Sequence, residues 1–225
     1  MRLNNKAAAK QYHNGLIQIV IGPNYQEAYE FFEKAVSIQK DNSIYSSKAG
    51  NVALSLGKYD DAIKYFELAL SSDQNKYGEY HHKVATHQNN LGIAWYAKNQ
   101  HDKAIEYYEL ALASDIKTLG ENHSRITGYY DNLGNAWYAK GDREKTIEYF
   151  NLALAQGPKR YGKYKYAHES PLTLNSLGIV WREKLDFIKA IEYFEGAVLS
   201  AVNKYGIAHQ DVAVYRNNLG SVLNL

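Results

Sequence analysis

The sequence predicts an all-α fold, a right-handed α-solenoid (a superhelix) built from antiparallel helix pairs. Three observations predict it. A short motif returns every 42 to 44 residues along the chain. Small, apolar and aromatic residues recur within each period at separations of three and four, the spacing of one helix face. Proline occurs only three times, and no long run alternates Val, Ile and Thr as a strand would.

The motif reads Asn89-Asn90-Leu91-Gly92, Asp131-Asn132-Leu133-Gly134, Asn175-Ser176-Leu177-Gly178 and Asn217-Asn218-Leu219-Gly220, with Lys48-Ala49-Gly50 as a fifth copy. Downstream of these glycines stands Ala62, Ala104, Thr146 or Ala190, then an aromatic (Phe66, Tyr108, Phe150, Phe194), then Ala69, Ala111, Ala153 or Ala197. A first, more degenerate unit carries Ala28, Phe32 and Ala35 at matching offsets, without the motif glycine on its leading helix. In each pair, Leu91 and Trp95 (or their equivalents) share a stripe of the leading helix, A. Ala104, Tyr108 and Ala111 share one on the following helix, B. Small residues let the two helices approach, and the aromatic fills the space beside them. A glycine inside a helix costs about 1 kcal/mol relative to alanine, so Gly92 implies close packing at that point.

Boundary residues agree. Gly57, Asn99 and Gly141 stand where A must end and B begin, and each tolerates the left-handed conformation that closes a helix. Gly78, Gly120, Gly162 and Gly206 mark the ends of B helices, and Ser170-Pro171 reads as an N-cap followed by a first-turn proline. The expected helix pairs span 4–40, 43–77, 80–119, 122–161 and 168–205 in one array over residues 1–225. A last A helix, 208–225, has no B partner. Leu219, Val222 and Leu223 form either the inner face of a cap or an open edge.

The combined series of leucine-glycine, aromatic, alanine, aromatic and alanine resembles the tetratricopeptide repeat, with its period of about 34 residues stretched to 42. Asn-Asn-Leu-Gly together with Gly120-Glu121-Asn122-His123 is similar to the kinesin light chain subtype; Gly78-Glu79-Tyr80-His81 and Gly206-Ile207-Ala208-His209 are looser copies. The chain departs from that subtype where His82, Ser124 and Gln210 replace a proline, and where Thr146 replaces a packing alanine.

Composition removes several classes of function. Among 225 residues, 45% are hydrophobic and 22% charged, as in an ordinary folded protein, and the net charge of +2 supplies no basic footprint for nucleic acid. With no cysteine, disulfides, thiol catalysis and thiolate metal sites are excluded. The apolar run Leu16–Ile21, broken by Gln18, is too short for a secretory segment or a membrane span. The expectation is a soluble, cytoplasmic protein. No cofactor is expected, because the glycines follow the repeat and not a phosphate loop. His81, His82 and His87 have poor helical spacing for a shared metal. Glu106 and Glu109 beside Lys103 read as a solvated face, and Trp95, Trp137 and Trp181 as packing residues. No constellation suits an enzyme.

In such a solenoid the A helices line a concave wall. Positions three before, one after and four after the motif glycine are expected to face it: Ser47, Asn51 and Leu54; Asn89, Ile93 and Tyr96; Asp131, Asn135 and Tyr138; Asn175, Ile179 and Arg182; Asn217, Ser221 and Asn224. Lys10 and His13 join them in the first unit. Side-chain amides offer donor and acceptor together and suit the backbone of an extended peptide, while Tyr96 and Tyr138 add rigid contact surface. The resemblance implies the same peptide-holding role for Asn89, Asn175 and Asn217. The alternative for these asparagines is solvation or bridging between neighbouring helices. Ser47 stands where some repeats place a carboxylate-clamping lysine, so no such clamp is expected. The expected function is a scaffold that binds a protein or peptide with an apolar anchor and a few acidic residues. The alternative is a self-assembly module forming a homo-oligomer through the C-terminal helix.

Overall fold

A computed structural model describes residues 2–22, 24–156, 166 and 169–224. Eleven helices and no strand occur among them. They fall into two compact units that divide between His123 and Ser124. Unit 1 holds α1 (Arg2–Ile21), α2 (Tyr25–Ile38), α3 (Ser43–Ser55), α4 (Tyr59–Tyr77), α5 (His82–Ala97) and α6 (His101–Leu119). Unit 2 holds α7 (Ser124–Lys140), α8 (Arg143–Ala155), α9 (Pro171–Glu183), α10 (Phe187–Tyr205) and α11 (Gln210–Leu223). Odd-numbered helices are the A members of each pair and even-numbered ones the B members. The helix boundaries expected near Gly162 and residue 168 lie outside the described residues.

The motif glycine is the point where A and B touch. An ideal Cβ built on Gly50 would lie 2.6 Å from the Phe66 ring, on Gly134 2.6 Å from Phe150, and on Gly178 2.5 Å from Phe194; Gly92 meets Tyr108 in the same way. Such separations exclude any side chain without movement of the ring. Phe66, Phe150 and Phe194 are almost wholly buried at these contacts. The first pair does contain the glycine that the sequence reading denied it. Gly15 presses on Phe32, its would-be Cβ 2.8 Å from the ring. It was overlooked because α2 begins ten residues after Gly15 but α4, α6, α8 and α10 begin nine after theirs. The period hides a contact displaced by one position.

Four A helices, α3, α5, α7 and α9, end alike. Gly57, Asn99, Gly141 and Leu185 have φ values of 73°, 59°, 87° and 62°. The following residue's N–H reaches the carbonyl five residues back, as in Lys58 to Ala53 (2.9 Å) and Asp186 to Trp181 (2.9 Å). Leu185 occupies the left-handed position at a cost of about 1 kcal/mol and is 74% exposed. The A helices are capped by Asn42, His81, Ser170 and His209. His81 and His209 each accept a backbone N–H through Nδ1. The recurrence of this histidine is thus a helix start and not chemistry.

In unit 1 the core gathers Ala28, Phe32, Ala49, Val52, Phe66 and Leu91. Reciprocal bonds from Tyr29 to Asp61 (2.9 Å) and from Tyr65 to Glu33 (3.0 Å) tie α2 to α4. Burial pushes the Tyr65 hydroxyl up to about 12. Buried between α4 and α5, His87 Nε2 lies 3.0 Å from Asp73 Oδ2, and the two residues are 6% and 3% exposed. In unit 2 Leu174, Ala197, Ala201, Val212 and Tyr215 pack around Tyr166, whose hydroxyl donates to Glu192 at 3.0 Å. Thr146, in place of alanine, is fully buried and turns its hydroxyl onto the Asp142 carbonyl at 2.7 Å. Each tryptophan is half-buried with a lysine ammonium over its ring: Lys103 on Trp95, Lys145 on Trp137 and Lys189 on Trp181, at 4.0, 3.7 and 3.9 Å. At the last helix Val222 is buried and Leu219 half-buried, but Leu223 is 61% exposed and does not join the inner face with them. No described atom lies within 4 Å of a Cβ built on Gly220.

Two stability measurements follow from these contacts. Gly92→Ala forces a methyl into the Tyr108 ring and lowers unfolding free energy in urea by about 1–3 kcal/mol. Gly220→Ala, the same motif glycine with nothing over it, raises that free energy by about 0.5–1 kcal/mol through helix propensity alone. Changes of the same sign would refute the packing role. The second concerns pH. Burial lowers the His87 pKa, with the Asp73 bond acting in the opposite sense. The unfolded chain therefore protonates this histidine, near pH ~6.5, before the folded chain does. Stability is insensitive to His87 above that pH and falls as the pH drops below it. His87→Gln, which keeps a donor for Asp73, flattens the decline of the melting temperature between about pH 7.5 and 5. An unchanged decline would remove His87 as its source.

Candidate functional site

The expected wall residues lie on the A helices, and the two units treat them differently. On α1, Lys10 and His13 are exposed. With Gly15 as reference, the positions equivalent to the other wall residues are instead Tyr12, Leu16 and Ile19, which pack against the core. On α3, Ser47 is half-buried and Asn51 exposed. On α5, Asn89, Ile93 and Tyr96 are all half-buried, and the Tyr96 ring lies 5.2 Å from His101, centroid to centroid.

Between α3 and α5 in unit 1 lies a cavity of about 200 Å³ lined by Ser43, Ile44, Ser47, Asp73, Lys83, Thr86 and His87. Only Ser47 was expected at such a place. Ser43 and Ser47 are four apart on α3, and Lys83 and His87 four apart on α5, so each pair lies along one face of its helix. That shared spacing was the available signal. Asp73 reaches the cavity from α4, fourteen residues before His87, a separation that no local pattern announces.

In unit 2 the wall positions are taken up by bonds between successive A helices. Thr173 of α9 donates to Asp131 of α7 at 2.7 Å. Burial raises the Asp131 pKa, and the Thr173 bond opposes that rise. Asn175 is only 7% exposed, and its Oδ1 accepts from Asn218 of α11 at 2.8 Å. Arg182 donates to Ser221 of α11 at 3.1 Å. Tyr138 donates to Glu183 at 2.8 Å, while Arg143 stacks over its ring at 4.3 Å and pairs with Glu183 at 2.6 Å. Burial and the Glu183 bond raise the Tyr138 pKa. Asn135 is half-buried and Asn217 exposed. For Asn175, bridging between helices is what the geometry displays.

Among the described residues no group of three or more His, Cys, Asp or Glu side chains could hold a metal ion. No described helix is long and apolar enough to cross a membrane.

Comparison with known proteins agrees with this architecture. Tetratricopeptide repeat family models match residues 40–117 and 24–42. No curated protein sequence matches the chain significantly. Among solved structures, BtubC (BKLC) from P. vanneervenii is 21% identical with a TM-score of 0.70, covering 91% of this chain and 92% of that one. A protein from Podosopora anserina, described as a kinesin light chain with nearly identical tetratricopeptide-like repeats, is 19% identical with a TM-score of 0.66 over 91% of this chain and 96% of its own. MamA from Desulfovibrio magneticus RS-1 is 20% identical with a TM-score of 0.66 over 88% and 97%. Identities this low speak for the fold alone. The repeat motif, the helix pairs closed by glycine on aromatic, the matching family models and these neighbours agree on one point: the chain has the tetratricopeptide-repeat fold, and residues 24–117 match that family's models.

Proposed function

We propose that the chain is a protein-interaction scaffold that holds an extended peptide segment against the A helices of unit 1. Tetratricopeptide repeats are in general a protein-interaction fold. The observation that carries the finer reading is the cavity between α3 and α5, with Ser47 in its lining and Asn51 exposed one turn further along α3. Asn51 and Asn89 supply amides for a peptide backbone, and Tyr96 supplies a broad, rigid surface. Unit 2 is the weaker candidate, because Asp131, Asn175 and Arg182 already bond to neighbouring helices.

One observation favours self-assembly as a second reading. α11 carries an uncovered Gly220 and an exposed Leu223, an incomplete repeat surface on which another copy of the chain could close.

The discriminating experiment pans the folded chain against a library of short extended peptides, in parallel with an Asn51→Ala/Tyr96→Ala variant matched for thermal stability. Peptides retained by the parent and weakened at least about tenfold in the variant, a loss of ~1.4 kcal/mol, support the unit 1 groove. Equal binding by both would move the site elsewhere. An absence of binders, together with a Leu223→Glu-sensitive dimer in light scattering, would favour self-assembly.

A further inference from the structure

The cavity of unit 1 has a polarity that runs from floor to rim. Its floor is the Asp73–His87 pair. A carboxylate only accepts hydrogen bonds, so the His87 nitrogen facing Asp73, Nε2, carries the hydrogen. In the neutral ring Nδ1 is then a bare acceptor. It is closed from water and has no partner among the described residues. Burial favours that neutral form. The acceptor that the floor offers is therefore the Asp73 carboxylate, with the His87 ring beside it.

The rim is opposite in character. Lys83 brings an ammonium that donates to the Tyr77 hydroxyl, at 3.3 Å, and lies over the face of the same ring. Among the described residues no carboxylate lies within ion-pair distance of it. Ser43 and Ser47 add hydroxyls from α3. These groups can donate to whatever enters.

We infer that this cavity is a subsite for a primary carboxamide, the side chain of a glutamine or asparagine in the bound peptide. A carboxamide carries an acceptor and a pair of donors on one carbon. Its oxygen takes a hydrogen bond from the Lys83 ammonium or a serine hydroxyl while its NH₂ turns to the acceptor floor. A carboxylate of the same shape would set its oxygens against Asp73. A lysine or arginine would meet Lys83. The volume of about 200 Å³ accommodates a side chain of this size. The inference rests on the groove reading only in taking the carboxamide from a peptide.

The test uses the full chain, ¹⁵N-labelled, near pH ~7.5, where His87 is neutral, and small probes instead of a peptide. N-acetyl-glutamine-N-methylamide is titrated against its glutamate counterpart and against free L-glutamine. Saturable shifts at Ser47, Lys83 and His87 are expected with the glutamine probe, with the glutamate probe at least about fivefold weaker. Lys83→Met, a rim change that leaves the buried pair in place, weakens the glutamine probe about threefold or more; Asp73→Asn is the second variant, and by removing one of the floor's two acceptor oxygens it weakens the glutamine probe as well. Equal or tighter binding of the glutamate probe, indifference to Lys83→Met, or no saturable shift at these residues would each overturn the assignment. Tighter binding of free L-glutamine than of the capped probe keeps the carboxamide subsite and reassigns its source to a small molecule. Because no peptide is involved, an empty library screen beside a positive glutamine titration would sink the groove reading and leave this one standing.

Discussion

Each helix pair depends on one contact, an aromatic ring laid on a helix position that has no side chain. Gly15, Gly50, Gly92, Gly134 and Gly178 each lose helix propensity so that a B-helix ring can sit against the A-helix backbone. The gain is burial of a large apolar side chain, about 1.5–3 kcal/mol for a phenylalanine-sized group. That exceeds the local cost of the glycine. The alanines on either side of the ring, such as Ala62 and Ala69 beside Phe66, keep the helices near enough for the contact to form. Because the same arrangement recurs five times, the remaining sequence is released from defining the fold and can vary on the outward faces.

This contact made the fold legible in the sequence. Gly92 and Tyr108 are sixteen residues apart, and the separation repeats, so periodicity alone located α3 to α10. Left-handed turn residues were legible at Gly57, Asn99 and Gly141, where residue type declares the conformation, and illegible at Leu185, where a leucine holds it against its preference. The abundant tyrosine was visible as composition but not as structure. Its hydroxyls pair with distant acids, as Tyr29 does with Asp61, Tyr166 with Glu192 and Tyr138 with Glu183, and such partners lie 26 to 45 residues away. The wall residues were legible only as positions. Whether a position faces a ligand or a neighbouring helix depends on what stands opposite, one repeat away. Asn175 meets Asn218 and Asp131 meets Thr173, whereas Ser47 borders a cavity. Lys83 and Asp73 escaped notice, and His87 was weighed only as a metal ligand, because the three belong to separate turns of two helices and to no shared motif.

The contrast between the units is one of polar satisfaction. In unit 2, donors and acceptors on successive A helices consume one another, which stiffens the stack and leaves fewer groups for a partner. In unit 1 the Lys83 ammonium and the Ser43 and Ser47 hydroxyls stand over the buried Asp73–His87 pair, at a cavity that the neighbouring helices leave open.

The first pair carries one further lesson. Between Gly15 and Phe32 the chain runs one residue longer than between the other glycines and their rings, yet ring and glycine still meet. The surplus lies in the last turn of α1, which runs six residues past Gly15 to Ile21 where α3, α5 and α9 run five past their glycines. Had it entered α2 ahead of Phe32, the ring would have swung by about 100°, one residue's share of a turn, and missed its seat. Insertions and deletions in an array of this kind are thus expected to collect at the A-to-B junctions. Relatives are better aligned by matching ring to glycine than by counting residues.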